Sequence, residues 1–330
     1  MNILVTGSTG FVGGHLVRAL SEQGDRCRCL VRPTSDRSRL EKLPNVEFVE
    51  GDITQPETLE GIAEACDVVH HLSAEGHVSA ISEEAFQRFV RVNVEGTRNL
   101  LDECAKRSVE RFVHFSSTAA MGLIREPVVD ETCEPQPATP YQRSKLESET
   151  AALAYHADGR VPVLVLRPCM IYGVGGYGEF AKWMRLMRKG AFPRVGLGRN
   201  LTPLVHVLDV VQAALLAGER GVPGETYLVT GPRSYPLAEL RKHILAACGV
   251  RRPYWYVPKW FMYAAAWALE RLAGVTGKAP VVTTRNIANT VYDRVFSIEK
   301  ARTQLGYEPK VTIEDAIPET VRWLLRGEPS

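Results

Sequence analysis

The chain has 330 residues, of which 45% are hydrophobic and 24% charged, and a formal net charge of +2. This is the make-up of a soluble globular protein with room for one large α/β domain or two fused modules. With so small a net charge and no long basic run, no nucleic acid or acidic polymer is expected as a partner.

The opening MNILVTGSTG reads as a strand and a turn, so no signal peptide is expected. Seven scattered cysteines, without a Cys-x-x-Cys pair, argue against a disulfide framework or a metal site and favour a reducing cytoplasm. Gly7, Gly10 and Gly13 follow the first strand at G-x-x-G-x-x-G spacing and open a helix over 11–23. The spacing differs from the commoner G-x-G-x-x-G, but the physical need is similar. Gly7 permits a tight turn, Gly10 lets the backbone approach a pyrophosphate, and Gly13 allows close helix packing. The N–H groups of Phe11 and Val12 are then free donors at a helix N-terminus. A dinucleotide cofactor is expected.

The second strand, RCRCLVR, places Cys27 and Cys29 on one buried face and ends at Arg32, followed by Ser35 and Arg37. A carboxylate roughly 20 residues past the glycines would bind a ribose 2′-hydroxyl. The guanidinium of Arg32 suits a 2′-phosphate instead, which favours NADP(H) over NAD. The alternative is a solvated arginine at a strand end. The third strand, VEFVEGD, delivers Asp52 either to an adenine amine or to the cap of a helix spanning 56–65.

The strands in DVVHHLS and RFVHFSS flank a long helix over 82–107, in which Asn93 is read as tying helix to sheet. His70, His71 and His77 lack the carboxylate or cysteine spacing of a metal site. The fifth strand releases Ser116, Ser117 and Thr118 at the sheet edge where α/β proteins bind ligands. Residues 140–145, PYQRSK, look like a helix start with Thr139 as N-cap, Pro140 in the first turn and Gln142 completing a capping box. Tyr141 and Lys145 are then i and i+4 on one helix face. Bringing a phenol from a pKa of about 10 to about 7 takes on the order of 4 kcal/mol of preferential phenolate stabilisation. A nearby ammonium and an oxidised nicotinamide are the two cations that could supply it. VPVLVLRP (161–168) is a sixth strand, and the alternation predicts βαβ units with a parallel sheet covered on both faces.

Beyond Pro168 come a glycine-rich loop (Gly173, Gly175, Gly176, Gly178), a basic helix, a strand entering a helix over 202–219, and a strand in GETYLVTG. WFMYAAAWALERLAGV (260–275) is too short to span a bilayer. It reads as a helix buried in a substrate lobe or, alternatively, as a lipophilic lid or peripheral membrane contact. The expected division is a dinucleotide-binding domain over 1–167, with elements returning near 202–230, and a mainly substrate-binding lobe over 168–330.

Together with VNVEGTRNLL, LRPCMIYG, LVHVLDVVQAAL and LGYEPKVTIEDAI, the glycine loop, Ser117, Tyr141 and Lys145 resemble the extended short-chain dehydrogenase/reductase family over nearly the whole chain. The resemblance implies a doubly wound, parallel-sheet Rossmann fold with a smaller, interleaved C-terminal lobe. It implies Tyr141 as general acid/base and Ser117, counted back from Gly122, as the catalytic hydroxyl. Lys145 would bind the nicotinamide ribose and lower the tyrosine pKa, with Ile53 and Pro168 among the cofactor contacts. A homodimer through helices 82–107 and 140–156 is implied as well.

The family holds alcohol dehydrogenases and reductases, and also nucleotide-sugar epimerases and dehydratases. Met170 stands where sugar-nucleotide members tend to have an asparagine, and Asn200 and Thr202 lie where they often carry an arginine, with Arg199 as a substitute. The apolar stretch and the ending VYDRVFSIEKARTQLGYEP look similar to 3β-hydroxysteroid and sterol-4-carboxylate dehydrogenases. LVRPTS is similar to the second strand of dihydroflavonol reductase-like proteins. The expected activity is therefore NAD(P)-dependent interconversion of a secondary alcohol and a ketone on a bulky, largely apolar small molecule. The alternative is a nucleotide-sugar 4-epimerase or dehydratase with tightly bound NAD, its diphosphate held by Arg185, Arg188 and Lys189. A cofactor-sensing regulator would be expected to lack the serine, tyrosine or lysine.

Overall fold

The computed structural model describes residues 1–76, 83–192, 194–195, 198–251, 256–276 and 283–327. His77 and the first residue of the expected helix 82–107 lie outside them. The first half alternates strand and helix: β1 (Asn2–Thr6), α1 (Phe11–Glu22), β2 (Arg26–Val31), β3 (Val46–Glu50), β4 (Val68–His71), α2 (Glu83–Phe89), α3 (Gly96–Cys104), β5 (Arg111–Phe115), α4 (Pro140–Ala157) and β6 (Val163–Pro168). Then come β7 (Met170–Tyr172), α5 (Glu179–Lys189), β8 (Arg194–Val195), β9 (Leu201–Thr202), β10 (Leu204–His206), α6 (Val207–Arg220), β11 (Thr226–Val229), β12 (Tyr235–Pro236) and α7 (Leu237–Ala247). The chain closes with β13 (Tyr256–Val257), α8 (Lys259–Thr276), α9 (Thr284–Val291) and α10 (Ile313–Arg326).

Seven parallel strands form the central sheet in the order β11-β6-β5-β4-β1-β2-β3. The order reverses between β1 and β4, the switch point at which open α/β sheets bind ligands. Apolar runs such as VLVLRP in β6 are buried on both faces, as parallel sheets require. Ile3, Val5, Cys27 and Cys29 pack with Leu16 and Leu20 of α1 and with α6, while Leu4 and Leu30 turn to Leu100 of α3 and Ala152 of α4. A third cluster joins Tyr172, Met184, Leu204, Leu240 and Ile317 from β7, α5, β10, α7 and α10.

Three expected elements differ. Helix 56–65 reduces to a single 3₁₀ turn, Pro56–Leu59, because Gly61 and Ala65 adopt positive φ and break the run. Helix 82–107 is interrupted between α2 and α3 by a π-helical turn, Val90–Glu95. Of the two readings of 260–275, the fully buried helix is not what forms: α8 is largely exposed on one side. Its partners α9 and β8 are small and cover only the stripe around Ala266, Met262 and Tyr263. Trp260, Phe261, Ala264, Trp267, Ala268 and Leu272 face solvent, with Trp260 71% exposed.

Candidate active site

The dinucleotide cradle lies between β1 and α1. Gly7 has φ +68°, and a Cβ there would stand 2.9 Å from the Leu72 backbone. A Cβ on Gly13 would stand 2.1 Å from the Gly7 carbonyl oxygen, so α1 can seat against its own entry turn only with glycine at that position. The helix is N-capped by Gly10 without a side-chain hydrogen bond, which leaves the first-turn N–H groups, those of Phe11 and Val12 included, to a ligand. An uncapped helix start behind a turn with glycine at its two ends, Gly7 and Gly10, fits a pyrophosphate. The glycine-rich loop after β7 folds over this turn. His15 Nε2 is 2.8 Å from the Val174 carbonyl oxygen, and a Cβ on Gly176 would lie 2.7 Å from the Phe11 ring. His15 was not among the sequence candidates, and the glycine cluster at 173–178 is the only signal that could have found it.

Arg32 is exposed just past the end of β2. Its N–H donates to Ser35 Oγ (3.1 Å) and Ser35 N–H donates back to its carbonyl (2.9 Å), which closes a turn. Arg37 is ion-paired with Glu50 and lies over the Phe48 ring. Asp52 does not cap the Pro56 turn. Its Oδ1 accepts from Thr54 N–H (2.9 Å) and Thr54 Oγ1 (2.8 Å), and Gln55 holds the cap position. Ile53 beside it is buried.

Sheet register sets the ends of the strands side by side: Thr6 is level with His71, His71 with His114, and Phe115 with Leu166. Ser117 lies two residues past the end of β5. Its Oγ accepts from Ala119 N–H (3.1 Å), donates to the Pro168 carbonyl (3.5 Å) and shares a hydrogen bond with the Tyr141 phenol. Ser116 Oγ is buried without a partner among the described residues, so Ser117 is the member of the pair that meets the tyrosine. The expected capping box of α4 is present: Gln142 N–H donates to Thr139 Oγ1, and Thr139 N–H to Gln142 Oε1, both at 3.2 Å.

Lys145 is 3% exposed and its Nζ donates to the Phe115 carbonyl at 2.7 Å. Burial lowers its pKa to about 8, opposed by Glu149. Burial pushes the Tyr141 phenol up to about 12, and the Ser117 hydrogen bond pulls against that rise. The expected lowering of the phenol by Lys145 is thus absent from the chain by itself. The ammonium is committed to a carbonyl on β5, and desolvation of the phenol dominates.

Asn93 reaches further than expected. It accepts from Glu75 N–H (2.8 Å) and donates to the Glu75 carbonyl (3.1 Å) and to Ser144 Oγ (3.0 Å), tying the loop after β4 to α4 beside Tyr141. Burial holds three histidines neutral, lowering the pKa to about 4 at His70 and about 3 at His71, and well below the usual value at His114. His71 bridges Thr6 and Thr97, His114 binds Ser148 Oγ, and His206 caps α6. Behind the site a buried ion pair, Arg167–Glu149, joins β6 to α4. Glu239, His243 and Glu314 converge elsewhere, but Arg233 already holds Glu239 at 2.7 Å.

Residues 3–230 match the model of the NAD dependent epimerase/dehydratase family. A dTDP-glucose 4,6-dehydratase of Streptomyces niveus is 30% identical, the alignment covering 98% of this chain and 92% of that protein. A 3 beta-hydroxysteroid dehydrogenase/Delta 5-->4-isomerase of Mycobacterium tuberculosis is 31% identical, covering 96% and 88%. Among solved structures, the dTDP-glucose 4,6-dehydratase DesIV of Streptomyces venezuelae, with NAD bound, superposes with a TM-score of 0.80 at 27% identity, covering 99% of this chain and 98% of that one.

Proposed function

The chain belongs to the NAD dependent epimerase/dehydratase family, and within it we propose that it interconverts a secondary alcohol and a ketone on a bulky, largely apolar substrate. The observation that carries this reading is the wall beyond the Ser117 turn: Met121, Ile124, Val129, Leu228 and Phe296 form one buried apolar cluster. Met170 extends the apolar character past β6. Residues 1–167, with elements returning near 202–230, serve the dinucleotide, and 168–330 mainly the substrate.

The cofactor is assigned to the Gly7–Gly13 turn, Asp52, Ile53, Pro168 and Lys145, with Arg32 as the reason to favour NADP(H). When bound, the dinucleotide supplies or accepts the hydride. Tyr141 Oη gives its proton to the carbonyl oxygen in reduction and takes it back in oxidation. Ser117 Oγ shares a hydrogen bond with that phenol and steadies the same substrate oxygen. Lys145, one helical turn on, holds the cofactor ribose and keeps a positive charge near the phenol.

A second reading, a nucleotide-sugar epimerase or dehydratase with retained NAD, is favoured by the similarity to the dTDP-glucose 4,6-dehydratases. Dehydration needs, besides the phenol, an acid to protonate a leaving hydroxyl. The turn after Ser117, Thr118–Met121, carries no carboxylate, which weighs against a dehydratase and leaves the epimerase open.

The test is nicotinamide absorbance with a panel of bulky ketones and secondary alcohols. Tyr141→Phe should cut turnover by about 10²–10⁴-fold with dinucleotide affinity nearly unchanged. Normal turnover in that variant would sink the mechanism. The exposed stripe of α8 is assigned to peripheral contact with an anionic lipid surface, since Lys259 and Arg271 flank it and no acid lies on it. Glu270, off the stripe, is bound to Thr284.

A further inference from the structure

Tyr141, Ser144, Lys145, Ser148 and Glu149 follow the i, i+3, i+4, i+7, i+8 stripe along one side of α4, and the last four are buried. A buried helix stripe is ordinarily apolar. Here every member is polar and reaches across to a neighbour. Ser144 Oγ accepts from Asn93, Lys145 Nζ donates to the Phe115 carbonyl, Ser148 Oγ lies 3.1 Å from His114 Nε2, and Glu149 accepts from Arg167.

Glu149 is 1% exposed and Arg167 6%. All three guanidinium nitrogens are engaged: Nε and Nη2 donate to the Glu149 carboxylate, and Nη1 donates to Met121 Sδ. One side chain thereby joins three pieces of the site. They are the Thr118–Met121 turn that Ser117 caps, β6 with the Pro168 carbonyl that accepts from Ser117 Oγ, and α4. Stability is a weak reason for such a pair. Desolvating two charges offsets their attraction, and well-packed apolar residues of similar volume often hold two elements together as well or better. What they cannot supply is a negative charge one helical turn from Lys145.

Among the described residues, the one hydrogen bond of Lys145 Nζ goes to a neutral carbonyl. His71 from β4 and His114 from β5 face the lysine uncharged, and the Tyr141 phenol on α4 keeps its proton. Arg167 on β6 is committed to Glu149. Glu149 is thus the anion placed to support the ammonium against its burial, and it is the group that opposes the effect of that burial.

We propose that Glu149 is a positioning residue for Lys145, holding it as an ammonium beside the phenol, with Arg167 fixing the Glu149 carboxylate to the Ser117 turn. The proposal deepens the hydride-transfer reading and rests on its assignment of Lys145 to the cofactor ribose.

The test follows binding of NADPH and NADH to the full chain, by their own fluorescence, from about pH 5 to about pH 10. Wild-type affinity for at least one of them should weaken as the pH rises through about 8, and Lys145→Met should remove that break. In Glu149→Gln the break should lie at least about one pH unit lower. Adding Arg167→Met removes the stranded guanidinium and should leave the break equally low, while Glu149→Asp should move it back towards the wild type. Near-UV circular dichroism checks the fold, and the double variant carries the test if the single one does not fold. A wild type without a break, a break unmoved in both glutamine variants, or one that the double variant restores would overturn the proposal. An affinity lowered equally at every pH would do the same, since a merely structural pair predicts that. The readout needs no turnover, so it stands or falls apart from the Tyr141→Phe result.

Discussion

Tyr141 and Lys145 carry opposite burdens of the same burial: the phenol is pushed up to about 12 and the ammonium down to about 8. Reduction needs a protonated phenol and a charged lysine. The reductive rate should therefore be level below pH 8 and fall as the pH rises through about 8, where Lys145 loses its proton. A rate that stays level to pH 10 would contradict the assignment. The stability linkage runs the other way. Between the folded pKa of about 8 and the ordinary 10.5, the unfolded chain keeps a proton that the folded chain has released. Stability from this group therefore rises with pH across that window. The pair itself was legible because its spacing, its cap and its distance from the β5 hydroxyls are local facts. The direction of the tyrosine shift was not, since it depends on how deeply α4 packs and on Lys145 reaching the Phe115 carbonyl. Asp52 shows the same limit, because its Asx turn with Thr54 depends on where the following helix fails to form.

The helices divide by what fixes them. For α4, Thr139, Pro140 and Gln142 specify the start within four residues, and the expectation matches the structure. The stretches 56–65 and 82–107 carry good helix formers, yet positive φ at Gly61 and Ala65 and the π turn at Val90–Glu95 interrupt them. Those interruptions serve packing: the π turn presents Asn93 to Glu75 and Ser144. Exposure of α8 could not be read from composition, because an apolar helix looks the same whether its partners are large or small. Its stripe makes a separate prediction. The protein should cosediment with vesicles containing anionic lipid, and Trp260→Ala combined with Trp267→Ala should release most of it. Equal recovery of the double variant with the vesicles would reject the contact. No helix among the described residues is long and apolar enough to cross a membrane.

For the molecule as a whole, alternation of strand and helix was enough to predict the parallel sheet, and the observed order places its switch point at the glycine turn. What the alternation could not supply was the return of the second half onto the first. The loop at 173–178 crosses the start of α1, and Arg294 arrives beside Met121 and Gly122 of the Ser117 turn from far along the sequence. Those long-range placements separate a general hydride-transfer fold from a particular substrate site, and they lie with the residues that local patterns describe least well. Net interconversion of an alcohol and a ketone requires that the dinucleotide be exchanged at each turnover. That exchange is tested most directly by denaturing freshly purified protein and identifying any dinucleotide released against NAD, NADH, NADP and NADPH standards. Protein that emerges largely empty, binds added cofactor and prefers NADP(H) is the expected result. A near-stoichiometric, retained NAD would contradict it, favour a closed hydride cycle, and remove the role given to Arg32.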